Sequence, residues 1–140
     1  MYRKLIILLI FAVLFSACTK TQQKNSACGT QVCTALFATI TIKFLDKNGN
    51  QIVVNNYTAI NQRTKEVLHD NKLLAPGAYP PYYDVADDSD LKKLSADGDN
   101  IIVSGTDPAT NQVKTAVIKV AGGCICHVSK ISGPDSIVFD

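Results

Sequence analysis

The stretch Ala38-Thr-Ile-Thr-Ile-Lys-Phe-Leu-Asp-Lys-Asn-Gly-Asn-Gln-Ile-Val-Val54 decides the fold class. Its first half alternates apolar and polar side chains, with Ile40, Ile42 and Phe44 on one face. A strict period of two predicts a half-buried β-strand. The Asn48-Gly49 pair then separates two apolar runs, which is a strong hairpin signal because both residues tolerate the positive φ of a type I′ turn. The folded part of the chain is therefore expected to open with a β-hairpin.

Short apolar segments separated by turn-forming residues continue along the rest of the chain. Thr, Val, Ile and Asn are plentiful and Trp is absent, a composition typical of β proteins. Asp, Asn, Gly and Pro fall between the segments, where they favour turns. About seven strands in a single all-β sandwich are expected. The further extended segments are predicted at residues 57–61, 66–69, 101–104, 113–120, 124–130 and 136–139.

The stretch before residue 100 departs from this pattern and predicts at most one short helix. Asp87 stands where an N-cap residue would, and Asp90 follows three positions later, in the place of a capping box. A helix is therefore expected over residues 87–94. Upstream, a Pro-Gly and a Pro-Pro pair within residues 71–83 exclude a helix or a central strand, so irregular structure is predicted there.

Residues 38–68 resemble the opening of the carboxypeptidase-regulatory and transthyretin-like sandwiches. Those domains begin with an alternating strand, an Asp-x-x-Gly turn, a second strand and a Thr-containing turn. Here the first turn is Asp46-Lys-Asn-Gly49 and the second contains Thr64. The resemblance implies an immunoglobulin-like or transthyretin-like sandwich of the kind found in exported lipoproteins of Bacteroidota. Such domains mostly serve as binding, spacer or assembly modules, and the resemblance implies no functional residue.

The first eighteen residues have the pattern of an export signal. Arg3-Lys4 precedes an unbroken apolar run over residues 5–15, and small residues follow before Cys18. These are the marks of a secretory signal peptide, and the run is too short to cross a bilayer, which takes about 20 apolar residues. Leu14-Phe-Ser-Ala-Cys18 resembles a lipobox, although Phe15 stands where Leu is usual. The resemblance implies cleavage before Cys18 and a diacylglycerol on its sulfur.

Processing at this site would define the mature chain and its charge. Residues 1–17 form the expected signal peptide, residues 18–27 a lipidated cysteine with a polar tether, and residues 28–140 the sandwich domain. Two or more acyl chains give stable attachment to a membrane. Without the basic pair of the signal, basic side chains equal the 12 acidic ones in number. This balance argues against nucleic acid as a partner.

Lipidation of one cysteine leaves an even number for the exported domain, which predicts disulfides in an oxidising compartment. The two late cysteines lie two positions apart, so on a strand they share a face. A bond between these two would strain the chain. We favour the two connectivities in which the early pair bonds the late pair. Such a bond closes a loop of roughly a hundred residues, worth about 4–5 kcal/mol in the chain-entropy model. The four residues are Cys28, Cys33, Cys124 and Cys126.

The same cysteines allow an alternative, a metal-binding or thiol-redox domain. Thiolates and imidazole are zinc ligands. The single residue between the two late cysteines departs from the usual spacing of structural zinc sites, and Cys-Ile-Cys-His is one residue short of a haem-attachment motif. Disulfides are the preferred interpretation, and no cofactor is predicted. The alternative ligand set is Cys28, Cys33, Cys124, Cys126 and His127.

The candidate binding patch is a tyrosine-rich segment. Tyr79, Tyr82 and Tyr83 stand together beside two prolines. Rigid aromatic side chains on a loop give contact area at low entropic cost, although the same rings would also serve to cover one end of the core. The aspartates between Asp84 and Asp99 suggest a calcium loop, with turn and helix-cap roles as the alternative.

No catalytic constellation stands out from the sequence. His127 is expected to face solvent from a strand, and the Gly-x-Ser-x-Gly motif of hydrolases is absent. We therefore expect a non-enzymatic binding or assembly module of the cell envelope, lipid-anchored at Cys18, with a protein or glycan partner. No aspartate follows Cys18, which among lipoproteins resembles outer-membrane sorting. The tether also lacks acidic residues, which favours the periplasmic face.

Overall fold

The computed structural model describes residues 32–70 and 82–140. Within these ranges the chain forms nine strands and one short 3₁₀ helix, which lies between the fifth and sixth strands and spans Asp88–Lys93. The strands are β1 (Thr39–Leu45), β2 (Gln51–Ile52), β3 (Asn55–Asn61), β4 (Val67–Asp70), β5 (Tyr83–Asp87), β6 (Asp99–Thr106), β7 (Val113–Ala121), β8 (Ser129–Ser132) and β9 (Ser136–Val138).

Two sheets form an all-β sandwich. One is antiparallel, with the strand order β4-β3-β6-β7-β8. In the other, β1 pairs antiparallel with β2 and with β5, and parallel with β9. The predicted fold class is confirmed, with more strands than the roughly seven that turn spacing suggested.

The opening hairpin forms where the sequence predicted it, but through a different turn. Phe44 of β1 lies opposite Ile52 of β2. Gly49 has a φ of 83°, whereas Asn48 is not among the described residues with positive φ, so this is not a type I′ turn. The Gly49 N–H donates to the Asp46 carbonyl at 3.0 Å, and the Asp46 carboxylate accepts the Asn48 N–H at 2.8 Å. The turn is therefore fixed by the Asp46 side chain and closed by a left-handed glycine.

The core between the sheets is centred on aromatic rings. Phe44 meets Tyr83 edge to face, with ring centroids 5.3 Å apart. The Tyr57 hydroxyl donates to the Asp84 carbonyl at 2.7 Å, and the Tyr83 hydroxyl accepts the Val54 N–H at 2.8 Å. Both buried hydroxyls thus have partners, as burial of tyrosine requires. Other fully buried side chains of the core are Ile42, Val85, Ile101, Val103, Ile118, Val120 and Phe139.

Strand β5 was not predicted. It pairs with β1 through a bulge, since Ile40 lies opposite Ala86 and Thr41 lies opposite Asp84. The extra residue between them is Val85, and both Val85 and Ala86 are buried. The bulge breaks the alternation that would otherwise mark a strand in the sequence.

The segment before β8 also differs from the prediction. Residues 124–130 were expected to be extended, whereas residues 123–127 form bends and β8 begins only at Ser129. The N–H groups of Gly122 and Gly123 donate to the Ser95 and Leu91 carbonyls, at 3.0 and 2.6 Å. These bonds hold the segment against the 3₁₀ helix and its following turn instead of against a neighbouring strand.

The capping box at the helix is confirmed. The Asp87 carboxylate accepts the Ser89 N–H at 2.8 Å, and the Asp90 carboxylate accepts the Asp87 N–H at 3.1 Å. The helix is of the 3₁₀ type, and Leu94 caps its end. Three carboxylates, those of Asp87, Asp88 and Asp90, lie at its N-cap and in its first turn.

Candidate functional site

The outer face of the five-stranded sheet carries one continuous apolar row. Val67 lies opposite Ile60, Ile60 opposite Ile102, and Ile102 opposite Val117, so the row crosses β4, β3, β6 and β7. The neighbours of Ile60 and Ile102 along their strands are buried, which directs these side chains outward. Val67 and Val117, at the two ends, are 47% and 49% exposed. We call these four residues the apolar row.

Polar residues border the apolar row on both sides. On one side of the row, Ser104 lies opposite both Thr58 and Thr115. On the other side of β3, Thr58 lies opposite Asp70 of the edge strand β4. Lys119 lies on the other side of the row. An uncharged apolar centre with a polar rim is the usual composition of a protein–protein interface.

A disulfide joins the start of the described domain to the bends before β8. Cys33 and Cys126 are bonded, 93 positions apart, with their Cα atoms 5.3 Å from each other. Cys124 is also disulfide-bonded, and its partner lies outside the described residues. The prediction that an early cysteine bonds a late one is confirmed for Cys33–Cys126. The predicted roles of Cys18 and Cys28 lie outside the described residues.

The metal-binding alternative required free sulfurs at these positions. Zinc binds thiolates, and a sulfur in a disulfide is not a thiolate. With Cys33, Cys124 and Cys126 all in disulfides, only a reduced chain would offer the predicted ligand set.

His127 belongs to a hydrogen-bonded chain of three side chains at the disulfide. Its Nδ1 lies 2.7 Å from Asp88 Oδ2, and its Nε2 lies 2.8 Å from Thr34 Oγ1. The prediction of a solvent-facing strand histidine is wrong, because the ring is only 27% exposed and lies in the bends. We call Thr34, His127 and Asp88 the Thr-His-Asp chain.

The carboxylate of this chain is held on both oxygens. The Ala38 N–H donates to Asp88 Oδ2 and the Val128 N–H to Asp88 Oδ1, each at 2.8 Å. Burial raises the pKa of Asp88, but the bonds from Ala38, His127 and Val128 outweigh it, so this pKa lies below the ordinary value of 3.8. Asp88 is therefore a fixed carboxylate that ties the first described segment, the helix and the bends together.

His69 pairs with the other aspartates of the helix, inside the sandwich. Its Nε2 lies 2.9 Å from Asp90 Oδ2 and 3.8 Å from Asp87 Oδ2. The hydrogen bond to Asp90 outweighs burial and raises the pKa of His69 above its ordinary value of 6.5. The side chain is 8% exposed, and its Nδ1 is buried without a hydrogen-bond partner. Lys93 lies 3.2 Å from the second Asp90 oxygen.

This second group has the composition of a metal site but not its surroundings. Ligand atoms of His69, Asp87 and Asp90 lie within 4.8 Å of one another. The Asp87 carboxylate already accepts the Ser89 N–H and hydroxyl through Oδ1. The Lys93 ammonium also already neutralises Asp90. The group is better described as an ion pair that joins the two sheets.

Asp99, another aspartate of the predicted calcium region, has a comparable internal role beside an open pocket of about 350 Å³. Arg63 binds its carboxylate through Nε and Nη2 at 2.7 and 2.6 Å, and Asn61 and Ser95 also donate to it. The Arg63 bond lowers the pKa of Asp99 far below its ordinary range, against the effect of burial. Within the predicted calcium region, Asp87, Asp88, Asp90 and Asp99 thus have cap and ion-pair roles.

The predicted tyrosine patch is divided by the fold. Tyr83 is buried at 2% exposure and packs on Phe44, so it does not belong to an exposed patch. Covering one end of the core was the alternative role that the sequence predicted for these rings. Tyr82 is 38% exposed, and Tyr79 lies outside the described residues.

Comparison of the chain with protein-family models, with curated proteins and with solved structures finds no match. Among the described residues, no helix has the length and apolar character needed to cross a membrane.

Proposed function

We propose that the protein is a lipid-anchored binding module of the cell envelope, whose partner is a protein that docks on the apolar row. The observation that carries this proposal is the row itself. Four apolar side chains lie side by side on the solvent face of a sheet whose other face already covers the core. Removing them from water by docking would contribute roughly 25 cal/mol for each Å² of apolar surface buried.

The composition of the surface favours a protein over other partners. The row contains no charge, and the mature chain has no excess of basic residues, so neither nucleic acid nor an anionic lipid surface is matched. Hydroxyls of Thr58, Ser104 and Thr115 border the row and suit the polar rim of a protein interface.

The proposed anchor would restrict where that partner lies. With lipid on Cys18, the chain up to Val32 spans at most about 50 Å when fully extended, at ~3.3–3.6 Å per residue. The disulfide between Cys33 and Cys126 fixes the start of the domain to the sandwich just after this point. The partner would therefore be a membrane component, or a protein held close to the same membrane.

The anchor is tested by labelling cells with palmitate. Incorporation into the wild-type chain and its loss in Cys18→Ala are expected, together with release of the variant from the membrane fraction. Cys33→Ser is the matched control, because it removes a cysteine without touching the predicted lipobox. Palmitate retained in Cys18→Ala would overturn the lipoprotein part of the proposal.

The docking surface is tested by in-cell crosslinking followed by capture from the envelope fraction. Val117→Lys and Val67→Lys place a charge at either end of the apolar row, and each should lower recovery of the crosslinked partner at least tenfold. Val138→Lys is the matched control, because it makes the same exchange at a valine of similar exposure, 47%, in the other sheet. Equal recovery from Val117→Lys and Val138→Lys would exclude the row as the docking surface.

A further inference from the structure

We propose that Thr34 is an activated nucleophile that accepts an acyl group from an activated ester, with His127 as its base and Asp88 as the residue that positions the base. This inference does not depend on the binding function proposed above. It rests on the geometry of the Thr-His-Asp chain and on the exposure of Thr34 at the surface of the domain.

The hydrogen bonds determine which ring nitrogen carries the proton. A carboxylate only accepts hydrogen bonds, so the 2.7 Å contact with Asp88 Oδ2 requires a proton on His127 Nδ1. In the neutral ring, Nε2 then has a free electron pair, and the Thr34 hydroxyl at 2.8 Å donates to it. A hydroxyl donating to an imidazole that is oriented by a carboxylate is the arrangement that activates serine and threonine nucleophiles.

The positioning carboxylate is more firmly held than a surface ion pair. Asp88 is 11% exposed and accepts two backbone N–H groups, those of Ala38 and Val128, besides His127. These bonds fix both oxygens, so the ring is held in one tautomer and one orientation before any substrate arrives.

The disulfide holds the nucleophile next to its base. Thr34 directly follows Cys33, and His127 directly follows Cys126, so the Cys33–Cys126 bond brings the two side chains into register. The Thr34 residue is exposed, which leaves its hydroxyl accessible to an incoming ester. The sequence offered no signal for this group, because its members are separated by 93 and 39 positions.

The proposed step is a simple acyl transfer. Thr34 Oγ1 attacks the ester carbonyl carbon while its proton moves to His127 Nε2. The bond from the carbonyl carbon to the leaving oxygen then breaks, and the proton passes from His127 to that oxygen. The products are an acyl ester on Thr34 and a free alcohol or phenol, and no oxidant or further reactant is consumed.

The test uses the oxidised domain with p-nitrophenyl acetate as the probe. One equivalent of nitrophenol should be released in a burst, and mass spectrometry should place one acetyl group on the peptide containing Thr34. Thr34→Val should abolish this burst, and Thr34→Ser should retain it, because serine restores the hydroxyl. Thr39→Val, which alters another exposed threonine, should leave the burst unchanged.

The base and its positioning residue have separate signatures. His127→Gln should slow acetylation at pH 8 by about 100-fold, the usual contribution of a general base. Asp88→Asn should slow it as well and change the pH profile, because an amide side chain stabilises a different tautomer. Retention of the Cys33–Cys126 bond and of the far-ultraviolet circular dichroism spectrum checks that each variant is folded. If acetylation persists in Thr34→Val, or is equal in wild type and His127→Gln, the Thr-His-Asp chain has a purely structural role and the proposal is overturned.

Discussion

The two histidines of this chain both pair with aspartates of the same six-residue helix, yet the two pairs differ in every other respect. His69 is 8% exposed and bonds through one ring nitrogen only, whereas His127 is 27% exposed and bonds through both. The first pair joins the two sheets, and the second joins the first described segment to the bends before β8. The same two residue types therefore build a structural ion pair at one place and an oriented, accessible base at the other.

The difference originates in the positions of the aspartates along the helix. Asp90 is the third helical residue, where its carboxylate turns back to the Asp87 N–H and faces the interior. Asp88 is the first, where its carboxylate reaches Ala38 and Val128 outside the helix. Position relative to the N-cap thus decides which of the two environments each carboxylate enters.

The largest expected effect comes from removing the covalent support of the His127 pair. The triple variant Cys33→Ser/Cys124→Ser/Cys126→Ser removes the disulfides of both late cysteines and so opens the loop between residues 93 positions apart. In the chain-entropy model this costs about 4 kcal/mol of the free energy of unfolding. Urea unfolding measures the loss, and the NMR signals of the two imidazoles locate it. The His127 signal should move while the His69 signal stays, and a loss below about 1 kcal/mol would contradict the chain-entropy argument.

Removing the carboxylates one at a time compares the two pairs directly. Asp90→Ala should lower the free energy of unfolding by about 3 kcal/mol, because it leaves a buried histidine and a backbone N–H without their partner. Asp88→Ala should cost about 1–2 kcal/mol, because the groups it leaves are closer to water. Asp90→Asn and Asp88→Asn serve as controls that keep the shape of each side chain. Equal losses in the two alanine variants would show that burial does not separate the pairs.

The pH dependence of stability tests the His69 pair. The pKa of His69 is raised above 6.5 in the folded protein. The contribution of His69 to stability is therefore complete below its pKa in the unfolded chain, and is lost as the pH rises through its pKa in the folded chain. The pKa of Asp90 is lowered below 3.8, so its charge persists throughout this window. The stability difference between wild type and His69→Gln should therefore shrink as the pH rises above 6.5 and through the raised pKa of His69. A difference that grew with pH would show that His69 is neutral when folded.

The sequence predicted those parts of the fold that are set by local patterns. The alternation at residues 40–44, the paired sheets and the Asp87–Asp90 capping box depend on neighbours a few positions apart, and all are confirmed. Strand β5 was missed because its bulge places two buried residues in succession. Bends replaced the expected strand at 124–127 because two glycine N–H groups bond to the helix region instead of to a strand.

The candidate surfaces could not be predicted in the same way, because they depend on register between distant segments. From the sequence, Ile60 and Ile102 are ordinary strand residues. Only the strand pairing shows that they lie opposite each other, and that Ile102 lies opposite Val117. Two disulfides between early and late cysteines were predicted from the even count and the compartment, without a choice between the two connectivities. The consequence that one of them aligns Thr34 with His127 appears only once the partner of Cys33 is known to be Cys126.

The smallest expected effect comes from the lysine that completes the His69 pair. Lys93 lies 3.2 Å from both Asp90 and Glu66 but is 37% exposed, so Lys93→Met should cost only about 0.2–1 kcal/mol and less at high salt. Lys114→Met is the control, since Lys114 pairs with the exposed Asp140 away from both histidines. Loss of the Lys93 charge leaves Asp90 with His69 as its main cationic partner, so the pKa of His69 should rise further in an NMR titration. The imidazole signal of His127 should not respond to Lys93→Met, because Lys93 lies at the Asp90 carboxylate, in the pair that contains His69. A response in both rings would mean that the helix transmits charge between the two pairs.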